Sequence, residues 1–98
     1  MVKLNWHRYA RIDLIQIYNY IYEDSVYYAV KTVNEIQKRT DNLNFSKYMG
    51  RKVPEYNLNE LRELIYKSYR IIYEVQTNKI IIHGIWHSAM LLQQKLIS

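Results

Sequence analysis

The sequence contains no cysteine, which excludes a disulfide framework and a thiolate metal site. That absence fits a reducing cytosol. Long apolar runs are missing too: the longest, Ile80-Ile81-Ile82, falls far short of the roughly 20 residues that span a bilayer. The N-terminal run from Met1 to Arg8 lacks the apolar core of a signal peptide. A cytoplasmic protein without a membrane partner is therefore expected. There is no glycine-rich phosphate loop, no serine or cysteine nucleophile signature and no specific carboxylate pair, so no cofactor is expected. His83 and His87 stand four residues apart, about 13 Å along a strand, too far for one ion to bridge. The helical His-Glu-x-x-His pattern is absent, and no metal site is expected.

The 98 residues suffice for one domain with a single two-layer core. Hydrophobic residues make up 49% and charged residues 23%, the balance of a globular domain. The formal net charge of +5 attracts nucleic acid, a ribosome surface or an acidic protein, and equally serves solubility. Eleven tyrosines against one phenylalanine accompany abundant Ile, Asn and Lys, the mark of AT-rich coding. Tyrosine suits half-buried strand faces, which explains that number better than base stacking does.

Val2 to Trp6 alternates apolar and polar residues and reads as a short strand. From Arg8 the period changes: Ala10, Leu14, Ile17, Tyr18 and Ile21 fall on one face of a helix of about four turns. Glu23-Asp24-Ser25 breaks it, with Asp24 or Ser25 as N-cap of a second helix. The inner face of that helix is expected at Ala29, Val30, Val33, Ile36, Thr40 and Leu43, with Lys31, Glu35, Lys38 and Arg39 outside. So short a link makes an antiparallel hairpin.

Asn44 to Asn59 shows no clean period. Gly50 and the only proline, Pro54, punctuate it, and Lys47, Arg51 and Lys52 make it the most basic stretch. It reads as a loop. Leu61 to Tyr66 and Tyr69 to Val75 then flank Lys67-Ser68, the length of a two-residue hairpin turn. Neither turn residue favours positive φ, which argues for a longer or bulged connection. Lys79 to Trp86 forms a further strand, and Ser88 to Ser98 a short helix through Met90, Leu91 and Leu92. The fold class is α+β: an N-terminal strand and a two-helix hairpin on one face of a mainly antiparallel sheet.

A two-residue turn pairs Tyr66 with Tyr69, Leu64 with Ile71 and Arg62 with Tyr73. If the next turn keeps the same parity, Ile71, Tyr73 and Val75 align with Ile80, Ile82, Gly84 and Trp86 beneath the helices. The other face then holds Leu61, Glu63, Ile65, Arg70, Ile72, Glu74, Ile81, His83, Ile85 and His87. It is the half-open face, where chemistry or a partner would sit. A bulge in either turn exchanges the faces. Arg70 can pair across strands with Glu63 or Glu74, a device worth under ~1 kcal/mol.

Gly50-Arg51-Lys52-Val53-Pro54-Glu55-Tyr56, then Leu61-Arg62-Glu63-Leu64-Ile65-Tyr66 and Tyr69-Arg70-Ile71-Ile72-Tyr73-Glu74-Val75, resembles the core of RelE/ParE-superfamily toxins. Asp13 to Ile21 is similar to the family's first helix, and Ile80 through His87 to its final strand. The likeness covers nearly the whole chain, in order. It implies a single-domain toxin of a type II toxin–antitoxin system, neutralised by a cognate antitoxin from the adjacent gene.

The superfamily has two activities. RelE-like members cleave mRNA on the ribosome, and for them the resemblance implies Arg70, His87 and Lys52 as catalytic candidates. ParE-like members poison DNA gyrase without such a set. Ribonuclease members usually carry a further basic residue after the last strand, whereas this chain has His87-Ser88-Ala89-Met90-Leu91. Loss of one phosphate-stabilising cation costs a factor of ~10² or more in rate. The ending therefore favours the ParE-like, non-enzymatic branch, with the ribosome-dependent endoribonuclease as the alternative. The family also commonly has glycine where this chain has Lys67-Ser68. Partner-binding residues are expected among Arg51, Lys52, Glu63, Arg70, Ile72, His83, Trp86, His87 and Met90.

Overall fold

The structure is a computed structural model that describes residues 2–87. It runs β1 (Lys3–Trp6), α1 (Arg8–Tyr22), α2 (Val26–Asp41), a 3-10 turn (Asn42–Asn44), β2 (Arg51–Lys52), β3 (Leu61–Tyr66), β4 (Tyr69–Val75) and β5 (Lys79–His87). The short helix expected after Ser88 lies outside the described residues.

α1 starts at His7, whose extended backbone lets its ring nitrogen Nδ1 accept the Tyr9 N–H at 3.2 Å. Histidine is an unusual cap, and nothing in the sequence announced it. α2 starts as expected at Ser25, whose hydroxyl accepts the Tyr28 N–H at 3.2 Å. Lys38 and Arg39 in its last turn complement the helix dipole. Its buried stripe is Ala29, Thr32, Ile36 and Thr40. Val30, expected on that face, is instead 43% exposed. Thr32 precedes Ile36 by four residues and occupies the inner row, leaving Val30 about 100° round the helix from Ala29.

The five strands lie in the order β1-β5-β4-β3-β2, with β1 parallel to β5 and the other neighbours antiparallel. β2, inside the stretch expected as loop, has too few residues to show a period. The β3–β4 register is the expected one, Tyr66 opposite Tyr69 and Arg62 opposite Tyr73. The connection is nonetheless tight, with Lys67 at φ 52° rather than a longer or bulged turn. Pairing along the whole of β3 outweighs the roughly 1–2 kcal/mol of a left-handed L-residue. Lys67→Gly is expected to stabilise the fold by about 1 kcal/mol. A urea midpoint that moves down instead would show that the turn is unstrained.

The β4–β5 ladder contains a shift between Ile72 and Tyr73: Ile72 faces Gly84, whereas Tyr73 faces Ile82. His83 is the extra residue of a β-bulge. Before it, Val75–Ile80 and Tyr73–Ile82 share the helix side, as expected. Beyond it the faces exchange. Ile71 and Tyr69 align with Ile85 and His87, while Gly84 and Trp86 move to the opposite side, with Ile72 and Arg70. The expected positions of Gly84, Ile85, Trp86 and His87 are thereby corrected.

The helices cover a core of Ala10, Ile36, Leu43, Leu64, Ile71, Tyr73, Ile80, Ile82 and Ile85. β1 ends opposite Ile82, so β5 continues without that neighbour. Asp13 of α1 takes over: its buried carboxylate accepts the Ile85 N–H at 3.0 Å. A smaller core of Val53, Ile72 and Trp86, flanked by Tyr56 and Leu61, lies on the other face. No helix among the described residues is long and apolar enough to cross a membrane.

Candidate functional site

The sheet face away from the helices is covered by the segment between β2 and β3. The Tyr56 and Asn57 N–H groups both donate to the Val53 carbonyl, at 3.1 and 2.8 Å, forming a turn with Asn57 at φ 50°. Asparagine tolerates that conformation. Val53, fully buried, then packs on Ile72 and Trp86. The face expected to be half-open is thus largely closed. Ile72, Trp86, Glu63 and Arg70 are all buried, and Ile65 stays exposed.

Under this cover sits an ion cluster. Arg70 Nε donates to Glu63 Oε1 at 2.8 Å, and its two terminal nitrogens grip both oxygens of Glu55 at 2.7 Å each. The other Glu63 oxygen accepts from Arg51 Nε. Glu63 is completely buried, and a carboxylate there is tolerable only because two guanidinium groups share it. Among the described residues, the two arginines and two glutamates of the cluster balance in charge. Hydrogen bonding to Glu55 is the largest influence on Arg70, and it outweighs burial to hold the guanidinium still more firmly protonated. The expected Arg70–Glu63 pair is present. Glu74, the other partner weighed for Arg70, instead bonds His83.

A second anchor joins Gly50 to the sheet. The Gly50 N–H donates to the buried Tyr73 hydroxyl at 2.9 Å, and its carbonyl accepts from Arg62 at 3.0 Å. A side chain at Gly50 would collide with the Glu63 carbonyl oxygen, so the approach requires glycine. Burial pushes the Tyr73 phenol above its usual value, against the opposing Gly50 hydrogen bond and the Arg62 charge.

At the bulge, His83 Nε2 lies 2.8 Å from Glu74 Oε1. This hydrogen bond is the main reason the Glu74 carboxyl is held below its ordinary 4.5, with burial opposing it and Gln76 assisting. A carboxylate depressed in the folded state contributes stability above its unfolded value, and that contribution disappears as pH falls through the folded value. Stability is expected to fall below pH 4.5, and His83→Ala should flatten that fall in acid titrations followed by circular dichroism. An unchanged slope would remove the pair from the account.

The three ribonuclease candidates are not brought together. Arg70 faces Trp86 across the ladder, and His87 faces Tyr69, whose ring it meets edge-on at 6.2 Å. Successive strand positions point to opposite faces, so Arg70 and His87 lie on different sides of the sheet. Lys52, exposed, is in register with Arg62, whereas its neighbour Arg51 reaches the cluster through Glu63. Among the expected partner-binding residues, Arg51, Lys52 and His87 are exposed and His83 is half-buried. Met90 lies outside the described residues. Glu55 and Asp13 were missed as contributors, since each acts through a partner distant in sequence.

An open cleft of about 730 Å³ lies where α1 and α2 meet the end of β5. Its walls include Ile17, Tyr20, Ile21, Tyr28, Tyr69 and His87, with Asp13, Gln16, Thr32, Lys67 and Ser68 as its polar residues.

The model of the family described as "ParE toxin of type II toxin-antitoxin system, parDE" matches residues 4–92. A solved structure described as "Chromosomal ParDE TA system from P. aeruginosa" is similar at a TM-score of 0.73 and 26% identity. The match covers 89% of this chain and 96% of that one. Among curated proteins none matches significantly in sequence.

Proposed function

From the premise that this chain belongs to the ParE toxin family of type II toxin–antitoxin systems, we propose that it arrests growth by binding and poisoning DNA gyrase in the cytoplasm. A cognate antitoxin from the adjacent gene neutralises it. The observation that carries the non-enzymatic reading is the state of Arg70. All three of its guanidinium nitrogens end on Glu55 or Glu63, so its charge is already neutralised and a scissile phosphate finds no vacant fork. His87, the candidate acid or base, is on the other side of the sheet. Neither residue can support the other in one reaction.

The apolar cleft between the helices and β5 suits the amphipathic segment of an antitoxin, docked as a helix in a groove. Ile17, Tyr20, Ile21 and Tyr28 supply its apolar wall, and His87 stands at its rim.

The test is induction of the chain without its antitoxin, with DNA damage and mRNA cleavage read in parallel. Gyrase-dependent breaks and an SOS response are expected while messages stay intact. Cuts within codons on intact DNA would establish the ribonuclease reading instead.

A further inference from the structure

Residues 42–54 contain three cations, Lys47, Arg51 and Lys52, and no acid. Arg51 is spent on Glu63, but the other two are joined by Arg62 of β3, which is in register with Lys52. Arg62 bonds only neutral acceptors, the Asn59 carbonyl, Asn59 Oδ1 and the Gly50 carbonyl, so its charge stays uncompensated. Among the described residues, none of Lys47, Lys52 and Arg62 stands in an ion pair. Tyr48 lies between two of them, 5.7 Å from Lys47 Nζ and 5.0 Å from the Arg62 guanidinium carbon, and is 44% exposed. Phe45, the single phenylalanine, two residues before Lys47 in sequence, is 91% exposed. Its backbone N–H donates to the Asn42 carbonyl at the end of the 3-10 turn.

We propose that Phe45, Lys47, Tyr48, Lys52 and Arg62 form a docking surface for single-stranded nucleic acid. Cations that track a backbone, interleaved with aromatic faces on which bases stack, are what such a strand requires. An acidic peptide would use the charges but leave the flat, exposed ring of Phe45 without a stacking partner. The surface shares no residue with the cleft between the helices and β5. It does not depend on the gyrase reading, and failure of one leaves the other standing.

The test is fluorescence anisotropy of the purified full-length chain with a labelled oligothymidylate of roughly 16 nucleotides, over a range of salt. Affinity should fall with salt, and the double variant Lys47→Gln/Lys52→Gln should flatten the log–log slope by about 1.4, that is, about 0.7 for each cation removed. Phe45→Ala should weaken binding roughly ten-fold with the slope unchanged, since it removes stacking and no charge. Thermal melting should show that both variants remain folded, since Phe45 and Lys52 are exposed and Lys47 is only half-buried and outside any ion pair among the described residues. Absence of binding would overturn the proposal. So would Phe45→Ala binding as tightly as the parent, or polyglutamate of matched charge competing as well as the oligonucleotide, which would mark a site for acidic protein.

Discussion

Arg70→Ala is expected to lower the free energy of unfolding by about 3–5 kcal/mol, read from urea denaturation. The loss is large because Arg70 holds two carboxylates at once. Its removal leaves the Glu63 carboxylate fully buried with only the half-free Arg51 against it, and releases Glu55 from the sheet. A domain of this size has a total stability on the order of 5–15 kcal/mol, so much of the protein would be unfolded or degraded in the cell. Toxicity should then disappear together with the folded fraction. A catalytic arginine predicts the opposite pattern: a stable, folded variant that has lost activity. An Arg70→Ala protein with an unaltered denaturation midpoint would sink the structural role assigned to this cluster.

Trp86→Ala is expected to cost about 3–5 kcal/mol, whereas His87→Ala, one position along, should stay within about 0.5 kcal/mol. The contrast follows from the bulge at His83, which turns Trp86 into the small core against Val53 and Ile72 and leaves His87 exposed. A double-mutant cycle makes the placement specific. Trp86→Ala and Val53→Ala should couple by about 0.5–3 kcal/mol, because the side chains share one cluster. Additive effects for that pair would mean that Trp86 does not pack beneath the 53–60 segment.

The features legible in the sequence are those with a local physical cause. Helical spacing from Ala10 to Ile21 located α1, and the Ser25 hydroxyl located the start of α2. Two strand-like runs separated by the two residues Lys67-Ser68 were enough to specify the register of β3 on β4 residue by residue. The family likeness was carried by Gly50 to Val75, and the match over residues 4–92 bears it out. The same segment's partners were only partly legible. Arg70 and Glu63 sit on strands whose pairing could be counted, so their contact could be anticipated. Glu55 lies in a loop without a period, and its bidentate grip on Arg70 had no such signal.

Sequence by itself determined the class of fold, the helix pair, the central hairpin and the family, because periodicity and short turns act between near neighbours. Tertiary structure alone decided which side of the sheet each half of β5 presents. One unpaired residue, His83, reverses every side chain beyond it, and no local preference around Gly84 announces that reversal. It also decided that the Val53 to Glu60 segment closes over Arg70, because that closure depends on Val53 finding Ile72 and Trp86. Those two long-range events separate Arg70 from His87, and they turn a plausible catalytic arginine into a buried clamp.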